Sequence, residues 1–196
     1  MFRRAALAAA TLLILSTASA SAATTTVHVV NYAYNPKTPK IALSGSILWR
    51  NDSNTSHTVT ANVPAVWPGS FSPLSPGKTG TLTFTHAGAY AYRCIFHSQQ
   101  TGTIKVKMGA SATSGTTSTN FTIRVATANA ASGMTHDVQR RKKGGSWSTW
   151  MSTTSQTVVF NPTTSQKGTW EFRARYRKTS SGEKTGWSPI VTVKVN

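Results

Sequence analysis

The 196-residue sequence has a single cysteine, inside R-C-I-F-H-S-Q-Q-T-G at residues 93–102. His97 follows Cys94 by three positions and Gln100 by six. Further upstream, N-D-S-N-T-S-H-T-V-T offers His57 at the start of a strand-like run. A thiolate with two imidazoles suits copper or zinc. The loop holds no carboxylate, which disfavours magnesium, calcium and a ferrous facial triad. Two histidines and one cysteine in a trigonal plane, with a weak axial donor, form an electron-transfer copper site.

Other chemistry is open to the same residues. A nucleophilic cysteine needs a base and an orienting third group. His97 could serve as base, but no acid lies near it in sequence. A buried, inert thiol is the remaining alternative. His28 reads as an alternating strand residue, and His86 as a solvated side chain in the turn before G-A-Y-A-Y.

Residues flanking the cysteine must hold such a site rigidly. A-Y-A-Y-R precedes it and G-T-I-K-V-K follows, so 94–101 reads as a turn clamped between two strands. Short β-branched or aromatic runs recur along the chain, punctuated by Gly, Pro, Asn and Ser. No sustained helical period follows residue 22, so the fold class is all-β. Gly/Ser/Thr/Ala-rich residues 109–119 hold no apolar side chain larger than alanine, and 108–119 is expected to be a flexible linker that lets the flanking domains move independently. The domains expected on either side are 24–107 and 120–196.

The N-terminus has Arg3 and Arg4, an apolar run from Ala5 to Leu15, and small residues up to Ala22. This is the pattern of a signal peptide over 1–22, too short for a permanent bilayer span. The expected location is secreted or extracytoplasmic, periplasmic or cell-surface. Two of the 21 Lys+Arg lie in that leader, leaving 19 against 4 Asp+Glu. Such an excess attracts anionic surfaces: cell-wall polymer, a membrane surface or an acidic protein. Equally, it could serve solubility alone. No nucleic-acid-binding motif accompanies it, so no specific nucleic acid is expected.

Residues 24–107 resemble the plastocyanin/amicyanin group of cupredoxins. The matching pieces are G-S-I-L-W-R-N-D before His-Thr-Val, and G-A-Y-A-Y-R-C-x-x-H followed by T-G-T-I-K-V. The resemblance implies a Greek-key β-sandwich with one type 1 copper ion, held by His57, Cys94 and His97. A methionine is the usual axial ligand; the count back from Gly102 falls on Gln100, as in phytocyanins of the stellacyanin type, with Gln99 one residue out of register. Met108 lies beyond the closing strand. It also implies single-electron transfer by Cu(II)/Cu(I) cycling, no enzyme activity, and a redox partner protein docking near His97. Phe96, Pro64, Trp67 and Pro68 could form the apolar collar, with ordinary packing the alternative for Trp67.

Residues 120–196 resemble a fibronectin type III module, an immunoglobulin-like β-sandwich, through V-Q-R-R-K-K-G-G, W-E-F-R-A-R and G-W-S-P. Trp170 stands where that family commonly places its corner tyrosine. R-R-K-K at 140–143 reads as a solvated hairpin or as a patch for anionic polymer. Trp147, Trp150 and Trp187 read as packing residues or as a sugar-stacking surface. The alternative function is a surface adhesion or polymer-binding protein in which copper is structural or incidental.

Overall fold

The structure is a computed structural model describing residues 23–196; the leader expected over 1–22 lies outside the described residues. The first sandwich comprises β1 (Thr24–Val30), β2 (Ala33–Asn35), β3 (Lys40–Ala42), β4 (Gly45–Asn51), β5 (Thr60–Ala61), β6 (Thr79–Phe84), β7 (Gly88–Arg93) and β8 (Thr101–Lys107). One sheet runs β2-β1-β4-β6 and the other β3-β8-β7-β5. β1 lies parallel to β4, and β3 parallel to β8. Alternation places Val27, Val29, Ile47, Trp49, Tyr90, Tyr92, Ile104 and Val106 in the shared core. Fully burying one such side chain is worth about 1.5–3 kcal/mol. Gly102 is required here, because a Cβ on it would stand 2.3 Å from the ring of Tyr92.

The second sandwich comprises β9 (Gly109–Ala110), β10 (Ser114–Gly115), β11 (Phe121–Arg124), β12 (Met134–Lys142), β13 (Ser148–Thr153), β14 (Thr157–Phe160), β15 (Gly168–Lys178) and β16 (Val191–Val195). Its sheets are β14-β11-β9 and β10-β16-β15-β12-β13. Phe121, Ile123, Val138, Phe160, Phe172 and Val193 fill the space between them. At the corner leading into β15, the Trp170 indole N–H donates to the Gln166 carbonyl at 2.7 Å.

The segment 108–119 differs from the flexible linker expected of it. β9 pairs with β11, β10 pairs with β16, and Met108 is buried in the second core. Strand pairing satisfies this small-residue tract through its backbone, which composition does not reveal. The two sandwiches are also joined directly. Ala87 N–H donates to Val125 O, Thr127 N–H to Thr85 O, and Ala89 and Gly186 exchange a reciprocal pair, all at 2.8–2.9 Å. Val66, which follows Pro64 in a short 3-10 turn (Pro64–Val66), packs with Met134 and Tyr176 of the second sandwich. Gly88 lets the two approach, since a Cβ there would lie 2.4 Å from Thr185 Oγ1. The independent motion expected of the two domains is therefore corrected: hydrogen bonds and a small core hold them together.

Candidate metal centre

Three elements meet at the site. His57 forms an isolated bridge with Leu74, exchanging backbone hydrogen bonds of 3.0 and 2.8 Å. Cys94 leaves β7, and the turn closes with Cys94 N–H donating to Gln100 O and Gln100 N–H to His97 O, both 3.0 Å. β8 begins one residue after Gln100. These bonds fix the turn at both ends, so its side chains converge without a flexible arm.

The ligand atoms of His57, Cys94 and His97 lie within 4.8 Å of one another. Cys94 Sγ is 3.6 Å from His97 Nδ1 and 3.9 Å from His57 Nδ1. Sulfur and nitrogen in one trigonal plane, at bond lengths of about 2.3 and 2.1 Å, stand roughly 3.8 Å apart. The spacing thus fits a single soft or borderline ion among these three donors. Cys94 and His57 are buried, and His97 is partly exposed. Thr58 N–H donates to Cys94 Sγ at 3.4 Å.

The surroundings orient His57. Ser53 Oγ lies 2.9 Å from its Nε2 and Thr55 Oγ1 3.2 Å, which turns Nδ1 toward the cysteine. The metal-free ring donates its Nδ1–H to Gln100 Oε1 at 2.8 Å, and a metal at Nδ1 would leave the proton on Nε2, where the two hydroxyls can accept it. Asn51 anchors this loop through Nδ2–H bonds to Thr55 O and Leu74 O. Burial lowers the His57 pKa below the ordinary imidazole value; the Gln100 hydrogen bond opposes the shift and His97 adds to it. A neutral imidazole is the form that binds a metal.

Of the two candidate glutamines, Gln99 is exposed and Gln100 is fully buried. Gln100 Oε1 sits 2.8 Å from His57 Nδ1, while its Nε2–H donates to Ala33 O at 3.2 Å. The second bond turns the amide oxygen, not the nitrogen, toward the imidazole. Met108 belongs to the core of the second sandwich.

The apolar rim around His97 differs from the expected collar. Ile95 and Phe96 are more than half exposed. Tyr32, also exposed, meets the His97 ring edge-on at 4.8 Å between centroids. Tyr32 holds a φ of 60°, in the left-handed region where a non-glycine residue is uncommon. Its place after β1 gave the sequence no signal. Trp67 instead packs on Phe84, Tyr90 and Tyr92, at 5.6 to 6.1 Å between centroids. Pro68 lines a cavity at the junction, with His86 and Tyr176.

His86 also differs from the solvated turn residue expected. It stacks on Tyr176 at 4.0 Å and hydrogen-bonds His136 across the junction. His28 pairs with Asp52, which also pairs with Arg50. In the second sandwich, Arg140 lies over the Trp150, Phe160 and Trp170 rings. Trp147 and Trp187 each have two guanidiniums within 4.2 to 4.6 Å of the ring centroid. All three tryptophans expected as packing or sugar-stacking residues are thus covered by arginines.

No protein-family model and no curated protein matches the sequence. Solved structures similar to the chain include a purple cupredoxin from Nitrosopumilus maritimus, 22% identical, covering 42% of this chain and 98% of that one with a TM-score of 0.39. A reduced amicyanin mutant is 23% identical over 42% of this chain and 80% of its own, TM-score 0.39. A copper-containing nitrite reductase from Thermus scotoductus is 25% identical over 41% of this chain but 21% of its own, TM-score 0.39. The last finding corrects the expectation that the chain is no enzyme: the solved structures similar to it include a nitrite reductase.

Proposed function

We propose that the first sandwich is an exported type 1 copper domain that carries single electrons. The observation supporting this most directly is the convergence of Cys94 Sγ with the Nδ1 atoms of His57 and His97, within 4.8 Å, on a turn clamped between two strands. His57, Cys94 and His97 would hold the ion, and Gln100 Oε1 would supply a further, weaker donor. Bound copper supplies one-electron cycling between Cu(II) and Cu(I). The chain's own residues hold the donors in nearly one arrangement, which limits the rearrangement that accompanies a change of charge. Burial of His57 and Cys94 excludes water, and the partly exposed edge of His97 is the point of electron entry. Tyr32, Ile95 and Phe96 would seat the redox partner protein around it.

The second sandwich fits a fibronectin type III-like interaction module. Three strands face the β10-β16-β15-β12-β13 sheet, and Trp170 bridges the corner before β15 as a corner tyrosine would. Export rests on the leader pattern; among the described residues no helix is long and apolar enough to cross a membrane.

Purified protein given Cu(II) should gain an intense visible thiolate-to-copper band that bleaches with ascorbate and returns on oxidation. Cys94→Ser should remove the band. A colourless copper adduct, or a band that survives Cys94→Ser, refutes this reading.

A further inference from the structure

We infer that the groove between the two sandwiches is a binding site for an anionic polysaccharide, used to hold the protein on a carboxylate-bearing matrix while the His97 face stays free. The groove, with a volume of about 360 Å³, is lined by Lys40 and Lys105 of the first sandwich and Arg173, Trp187, Pro189 and Ile190 of the second. Its lining includes three cations and no acid.

Lys40 and Lys105 stand directly opposite each other in the register of β3 and β8. Like charges so placed repel and destabilise the pair. Lys107 adds a third cation two residues along the same face of β8. No salt bridge reaches any of these lysines among the described residues, whereas Asp52, Asp137 and Glu171 are committed to Arg50, to Arg175 and Arg177, and to Arg141. Three of the four acidic side chains are thus committed elsewhere, Glu183 is bonded by Ser181, and the groove lysines have no carboxylate beside them among the described residues.

The spacing of the cations suits a polymer. Neighbouring strands lie about 4.8 Å apart and alternate residues about 6.6 Å apart along a strand, so Lys40 beside Lys105 and Lys107 farther along β8 make an angled cluster that can meet several carboxylates of one chain at once. Pro189 and the exposed Ile190 supply an apolar margin beside the cations, which a sugar ring's C–H face can meet. A concave groove does not suit a flat membrane surface. The R-R-K-K tract is a poorer candidate, because Arg140 lies over three aromatic rings and Arg141 is paired with Glu171. Lys105 and Lys107 also stand well along β8 from Gln100, by roughly 17–23 Å of strand. A polymer in the groove therefore leaves His97 free. The inference does not depend on the metal at all.

The test uses the full chain on immobilised polygalacturonate, with neutral dextran and anionic phospholipid vesicles as comparisons. Wild type should bind polygalacturonate and not dextran, with affinity falling as salt rises. Lys40→Gln/Lys105→Gln should weaken binding at least about tenfold and flatten the salt dependence. Lys142→Gln/Lys143→Gln removes the same charge from the exposed hairpin and should change it less than about twofold. Thermal unfolding should show the groove variant at least as stable as wild type, since a like-charge pair is relieved. Equal losses in the two double variants would mean net charge alone acts. No preference over dextran, or tighter binding to vesicles through the same lysines, also overturns the proposal.

Discussion

His86 Nδ1 of the first sandwich lies 2.9 Å from His136 Nε2 of the second, with the Tyr176 ring stacked on His86 at 4.0 Å. A contact of this length between two ring nitrogens is a hydrogen bond only if one carries a proton and the other does not. Burial, together with the neighbouring His136, pushes the His86 pKa down to about 4, and burial lowers His136 as well. Tyr90 also reaches the spot, its hydroxyl donating to His86 O. Asp137, next in sequence to His136, is held by arginines. The contact therefore joins two neutral imidazoles at neutral pH.

The first prediction follows from the direction of those shifts. Both histidines take up protons near pH 6.5 in the unfolded chain but at lower pH when folded. Stability from the contact is thus complete above about pH 6.5 and is lost as the pH falls toward 4. Urea midpoints of the metal-free protein should fall across this window. In His86→Gln the slope of stability against pH should be shallower by up to about one proton. A variant as steep as wild type would show that the contact contributes nothing.

The second prediction concerns Gln100, whose Oε1 is turned to the site by the bond from its own Nε2 to Ala33 O. A thioether favours Cu(I) relative to a harder amide oxygen. Gln100→Met should therefore raise the reduction potential of the copper-loaded protein, by at least about 59 mV if Cu(I) gains tenfold over Cu(II). Voltammetry of both proteins decides it. An unchanged or lower potential would remove Gln100 from the ligand set.

How much of this was legible in the sequence depends on whether the signal was local. Cys94 and His97 share one turn, and His57 sits in a pattern of its own, so the spacing of residue types pointed to a common centre. The strands flanking them follow from period-two alternation, as in G-T-I-K-V-K. Tyr32 was illegible because its position depends on a left-handed backbone at a tyrosine. The junction was illegible for another reason: His86 and His136 are 50 residues apart and meet where the two sandwiches dock, with 109–115 paired into the second. A tract of Gly, Ser, Thr and Ala has no side-chain pattern to announce backbone pairing. The arginine–tryptophan contacts were hidden likewise, since Arg173 and Trp147 come together through the register of β12 and β15.

That register carries the third prediction. Asp137 is almost fully buried, and it accepts hydrogen bonds from Arg175, Arg177 and Ser152, each 2.9 Å long. Burial alone would raise its pKa, but the bonds from Arg177, Arg175 and Ser152 outweigh it and hold the carboxyl at about 2. A depressed carboxyl contributes stability that is present above about pH 4 and is lost as the pH falls toward 2. Asp137→Asn removes the charge and leaves two guanidiniums facing a neutral amide. Breaking a buried pair costs about 3–5 kcal/mol. Because the two arginines remain about a quarter exposed, the loss should fall near or below the lower end of that range, at about 2–3 kcal/mol. The variant should also lose the steep fall in stability that wild type shows between pH 4 and 2. If Asp137→Asn unfolds at the wild-type urea concentration at pH 7, the carboxylate does not hold β12 to β15. If the cost appears but the acid dependence persists, another carboxyl is responsible, and Glu171, bound by Arg141 four residues along β15 from Arg175, is the next to replace.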